Sequence, residues 1–204
     1  MSPRAMKALL RALGREAAQD VERPAEPEAV MRAFCRAMSV RAERPVELVF
    51  RAFPADIPVS GLRLDLGDRS LVVVEERTVP EAQLVILGHE LWHEEQRDCG
   101  HHVAGLADAS ARAVASPRQA SEAVRRAAEQ ILAEAEVPRD ALLAVAARAE
   151  SPDGHEVAAE TFGLLFGREV RTWMHGRYAE GPVSPATVEG RMNLTLTNRG
   201  GRLL

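Results

Sequence analysis

The stretch "LVILGHELWH", residues 84–93, places two histidines four apart behind an apolar run, with a glutamate directly after the first. On a helix each residue advances about 100°, so His89 and His93 stand about 40° apart, one turn along the same face. Both imidazoles can then bind one ion. Glu90 lies about 100° round from His89, where it flanks such an ion without ligating it and can take a proton from an activated water. Leu91 stands opposite the histidines, and with Leu84, Val85 and Leu87 it anchors the helix in a core. The competing reading makes both histidines polar-face residues of a surface helix. It fits poorly, because Leu-Val-Ile-Leu demands burial and buried histidines need partners.

Upstream of this motif the pattern is β-like. "VELVFRAF" (46–53), "SGLRLDLG" (60–67, with Leu62, Leu64 and Leu66 alternating) and "RSLVVVEERT" (69–78) are short runs, and "LGDRS" makes the last two a hairpin. Further upstream, residues 3–20 and 26–42 carry apolar residues at helical spacing. These are Ala5, Leu9, Leu10 and Leu13 in the first, and Val30, Met31, Phe34, Cys35 and Met38 in the second. Pro27 suits a first helical turn. Cys35 reads as a small core residue.

Downstream, a helix from about Pro80 to Arg97 is broken by "DCGHH" (98–102). The alanine-rich, charged segment 103–150 reads as helices split at Pro117 and Pro138. "SPDG" (151–154) starts a last helix running to about Gly176. Residues 176–204, rich in Gly, Pro and Thr, read as a flexible tail.

These elements define an α+β class: a mainly helical domain with a small antiparallel three-stranded sheet packed on the histidine-bearing helix. One domain spans 1–175, with N-terminal helices in 1–42, the sheet in 43–78, the HExxH helix in 79–97 and a second ligand-bearing helix in 153–175.

With 204 residues there is room for one substantial core. A 46% hydrophobic and 27% charged composition suits a soluble globular protein, and no run approaches a membrane span. The charged N-terminus does not read as an export signal. Two cysteines without short spacing, Cys35 and Cys99, make no disulfide framework, so the expected compartment is the cytoplasm. A net charge of -4 argues against direct nucleic-acid binding. Lys7 is the only lysine, which points to codon usage rather than to an arginine-specific role.

A zinc site needs a third protein ligand and an open position. The candidates are the nearby Cys99, His101 and His102, or a carboxylate further along. The nearby set departs from the extended HExxHxxGxxH pattern, since position 96 is Gln and position 99 is Cys. In "HEVAAETFGLLFG", Glu156, Glu160, Gly163 and Gly167 share one helical stripe, while Phe162, Leu165 and Phe166 fall on a core-seeking side. A glycine stripe lets two helix axes come close, so that a carboxylate on one can reach an ion held by the other. The opposing reading is a small-residue packing seam with a solvated Glu156.

HExxH after a short sheet, followed some 60 residues later by Glu-x-x-Ala-x-x-Phe, resembles the ImmA/IrrE family of small zinc metallopeptidases, over about residues 26–175. "LVVVEERT", "LVILGHELWH" and "EVAAETFGLL" also look like toxin components of toxin–antitoxin modules from high-GC bacteria. The resemblance implies a zincin-like fold of the gluzincin type, Zn2+ held by His89, His93 and Glu156, and Glu90 as the catalytic proton acceptor. It further implies a protein substrate, a helix-turn-helix repressor or antitoxin, with no direct nucleic-acid or membrane partner. A zinc-stabilised, non-enzymatic regulatory component acting by protein binding is the alternative. Three positions depart from the family pattern. Glu160 stands where asparagine is frequent. "LLFGRE" replaces Leu-Leu-x-Pro, so the helix should run on past its usual end. Trp92 stands where glycine is common and is expected to wall one end of a cleft.

Around that site, "LVVVEERT" is a candidate edge strand for an extended peptide, or an ordinary sheet strand. Oxyanion donors could come from His101, His102, His155, Tyr178 or nearby arginines. Glu160 reads as an acceptor orienting a ligating histidine, able to exchange roles with Glu156. Cys99, His101 and His102 read as a polar loop ahead of a second metal site or redox switch, and His175 as favouring a helix C-terminus.

Overall fold

Helix α1 (Pro3–Asp20) opens with the Ser2 carbonyl accepting the N–H groups of Ala5 and Met6, and Pro3 occupies the first turn, where no amide is needed. Its Leu9, Leu10 and Leu13 are buried against α2 (Pro27–Ala42), whose Val30, Met31, Phe34, Cys35 and Met38 are buried in turn, as their spacing predicts. Burial pushes the Cys35 thiol up to about 12, which leaves it an inert core group. Past α2 the chain reverses at Glu43, in the left-handed region at φ 57°. Ser39 Oγ then accepts the Val46 N–H and donates to the Cys35 carbonyl, tying the first strand directly to the helix end. This computed structural model describes residues 2–53, 59–96, 109–113, 153–176 and 178–179, the side chains of 59, 109–113 and 153–155 excepted.

The sheet differs from the antiparallel three-stranded one expected. It is mixed and has four strands in the order β1–β3–β2–β4: β1 (Val46–Arg51), β2 (Val59–Asp65), β3 (Ser70–Glu75) and β4 (Ala109–Ala113). The β2–β3 hairpin is antiparallel as read, but β3 inserts between β2 and β1 and pairs with β1 in parallel, Leu48 opposite Val72. Its uninterrupted Leu-Val-Val-Val run explains the position, since all six residues of β3 are buried and a central strand needs apolar side chains on both faces. "LVVVEERT" is therefore no edge strand. β4 lies within the segment read as helical; pairing with β2 overrides the helix preference of its alanines.

Helix α3 (Pro80–Gln96) follows β3 through a short turn and runs back across the sheet. Gln83 Nε2 donates to the carbonyls of Glu75 and Glu76, fixing where the helix leaves the strand. From Gln83 to Glu94 every residue except Val85 is buried, so α3 is a central helix enclosed on all sides and the surface-helix reading fails. Helix α4 (Asp153–Val170) packs along it and continues into a single 3-10 turn (Arg171–Trp173), running on as "LLFGRE" predicts. Trp173 and Phe166 close on Phe34, at ring distances of 5.1 and 4.9 Å. His175 lies exposed beyond these turns, its N–H donating to the Ala25 carbonyl, so it is not seated on a helix terminus. The expected helices of 114–150 and nearly all of the expected tail lie outside the described residues.

Where β3 ends, Glu75 accepts the N–H groups of Phe53 and Arg77 and the guanidinium of Arg77. Hydrogen bonds from the Arg77 side chain outweigh burial and hold the Glu75 carboxyl down at about 2. A carboxyl lowered in the folded state stabilises it at every pH above the unfolded value, near 4.5, and that contribution fades as pH falls towards 2. Glu75→Gln should therefore lower the urea midpoint at pH 6 and do so by less at pH 3. An equal deficit at both pH values would contradict this assignment.

Candidate metal centre

Helices α3 and α4 approach more closely than side chains normally permit, and three glycines are the reason. A Cβ at Gly163 would stand 2.6 Å from the Val85 carbonyl oxygen and 3.2 Å from the His89 nitrogen. One at Gly88 would stand 2.6 Å from Phe166 Cβ, and one at Gly167 2.6 Å from Val85 Cγ2. The α4 stripe thus faces α3 as its spacing suggested; Gly88, its counterpart on α3, went unread.

Across this seam the first turn of α4 delivers Glu156 to the two histidines. His89 Nε2 and His93 Nε2 are 3.1 Å apart, and the Glu156 oxygens stand 3.4 Å from the first and 3.5 Å from the second. These three are the group of metal-capable side chains found among the described residues. Their spacing fits a divalent ion: ligand bonds of about 2.0–2.1 Å in tetrahedral geometry put neighbouring donors about 3.3 Å apart. Two imidazole nitrogens and one carboxylate oxygen are also donors that zinc and other late first-row ions accept. His89 is 1% and His93 7% exposed, whereas the Glu156 side chain is 36% exposed, so solvent reaches the group from the α4 side. Burial alone would raise the Glu156 carboxyl, but hydrogen bonds from His89 and His93 and their charge outweigh it and hold it at about 2. The carboxylate is a ready ligand.

Glu90 is fully buried on the face of α3 turned to β2, under Gly61, where a Cβ would come within 3.0 Å of its Oε1 and 2.4 Å of Ile86 Cγ2. An isolated glycine inside a strand pattern signals such close approach, and "VSGLRLD" carried that signal. Glu160 is exposed and outside the three-residue group. Trp92 does not wall a cleft: it is 2% exposed and packs on Phe162 at 5.1 Å, inside the core between α3 and α4. A helical wheel gave its direction but not its depth. Tyr178 lies against Arg171 at 4.2 Å, and Arg171 stands fifteen residues beyond Glu156, about 22 Å along a helix axis, which takes the ring out of reach of the group. Cys99, His101 and His102 lie outside the described residues, as does the His155 side chain.

No family model, curated protein or solved structure matches the chain.

The seam supplies a graded test. Gly163→Ala sets a methyl against main chain, whereas Gly167→Ala meets a side chain that can turn, so the first should destabilise by about 1–3 kcal/mol and the second by less. Gly163→Ala should also weaken divalent-metal binding. Chemical denaturation and metal titration measure both, and equal costs at the two positions would count against a backbone-limited approach.

Proposed function

We propose that the chain is a zinc-dependent endopeptidase acting on a regulatory protein, a helix-turn-helix repressor or antitoxin. The observation that carries this reading is the convergence of His89, His93 and Glu156, at 3.1–3.5 Å, from two helices some 60 residues apart in sequence. It matches the ligand set implied by the resemblance to ImmA/IrrE metallopeptidases. His89 and His93 would hold the ion through Nε2 and Glu156 through its carboxylate. A zinc ion there would supply Lewis acidity towards water and a peptide carbonyl. Glu90, next to a ligand on the same helix, is the group to accept a proton from the attacking water and return it to the departing amine. Apolar packing around α3 keeps these groups fixed while the reaction proceeds.

The full burial of Glu90 favours one rival reading, in which the metal is mainly structural and the protein works by binding its partner. The two readings separate at that residue. Purified wild type should carry stoichiometric zinc, and His93→Ala and Glu156→Ala should lose it. Against a peptide library read by mass spectrometry, zinc-loaded wild type should give chelator-sensitive cleavage, and Glu90→Gln should keep its zinc while cleaving at least about 100-fold more slowly. Zinc retained by Glu156→Ala would move the third ligand elsewhere. Unchanged biological activity of Glu90→Gln would give the function to the binding reading.

A further inference from the structure

Beside the metal-capable group, α3 buries a second set of charges. Glu94, the residue after His93, has a fully buried side chain, and Arg63 of β2 is 0% exposed. Arg63 Nη1 donates to Glu94 Oε2 at 2.9 Å, and Ser70 Oγ donates to the same oxygen at 2.7 Å. Arg44, from the turn after α2, reaches Glu94 through Nε at 3.0 Å and pairs with Asp65 through both terminal nitrogens at 2.8 and 2.9 Å.

The placement of these residues follows a simple match of repeats. Gly61, Arg63 and Asp65 alternate along β2 on the face that also carries Ser70 and Val72 of the neighbouring strand. Glu90 and Glu94 are one turn apart on α3. Two residues of strand advance about 6.7 Å and four of helix about 6 Å, so a helix lying along a strand can meet it at two successive points. Here the first point is Glu90 under Gly61 and the second is Glu94 on Arg63.

We propose that the buried Arg63–Glu94 ion pair fixes the axial register of α3 on β2, making Arg63 a positioning residue that holds His93 and Glu90 where the metal site needs them. Apolar contacts between helix and sheet are non-directional and tolerate small slides and rotations. A buried ion pair does not, because any displacement leaves charge unmatched where water cannot reach it. The pair sits one residue from His93, so its hold on the helix passes directly to a ligand.

This inference rests on the metal-site reading above, and cobalt(II) is the probe that tests the two separately. In Arg63→Met, Glu94 keeps Arg44 and Ser70, so the protein should fold, with a melting midpoint within a few degrees of wild type. Its cobalt affinity by chelator competition should fall about tenfold, with a changed visible spectrum. Arg63→Lys should recover most of that affinity, and Arg36→Met, which removes an exposed pair with Asp20, should leave it unchanged. A merely structural role would lower the melting midpoint and leave the affinity and spectrum of the folded protein alone. Wild-type affinity in folded Arg63→Met overturns the proposal while the metal reading stands; absence of cobalt binding by wild type overturns both. Should Arg63→Met not fold, Glu94→Gln reports in its place, with several-fold weaker binding expected and wild-type binding overturning the inference.

Discussion

Gly163 has no side chain at the point where α4 crosses α3, and Gly88 has none on the other side. Without that approach, α3 would present two imidazoles and nothing else. Helices packed through larger residues stand 8–10 Å apart, and the lower end of that range needs small residues at the crossing. The seam brings a carboxylate from the first turn of α4 to both ring nitrogens. The sheet supports α3, and Phe162 and Phe166 fasten α4 to Trp92 of α3 and Phe34 of α2, so three donors meet on two packed helices.

A helix chosen only for stability would not look like α3. His89, Glu90, His93 and Glu94 all lie buried within one and a half turns, and each such group is costly to remove from water without a partner. The partners arrive from different parts of the fold: Glu156 for the histidines, and Arg44, Arg63 and Ser70 for Glu94. Apolar residues at these positions would pack as well with less desolvation. Local rules broken in the middle of a core, and compensated from four separate elements, are where a site is expected.

Periodicity made the helices legible, because Leu9, Leu10 and Leu13, or Val30, Met31 and Phe34, bury at the spacing that a helix imposes. The hairpin was legible from its turn, and two of the three donors from HExxH itself. The third was visible as a carboxylate on a glycine stripe, although the sequence alone left Cys99, His101 and His102 in contention and the resemblance was needed to choose. Long-range pairing was not legible. Nothing local states that β1 lies parallel to β3, and "ASARA" reads as helix until β2 offers it a partner. Arg63 was hidden for a related reason, since an arginine alternating with leucines looks like the wet face of a strand until Glu94 is seen opposite it.

The chemistry of the three donors also bears on how the site can exist with and without an ion. Two ring nitrogens 3.1 Å apart, with carboxylate oxygens 3.4 and 3.5 Å from them, form a set in which each donor can turn from its neighbours to an ion. A divalent cation placed there would take both ring nitrogens in their unprotonated form. Glu156 is suited to both conditions: it is ionised across the ordinary pH range, it sits in the first turn of α4 where the helix dipole favours negative charge, and it is the most exposed of the three. The buried histidines supply fixed geometry, and the half-exposed carboxylate supplies charge and access. A third buried imidazole would give the first without the second.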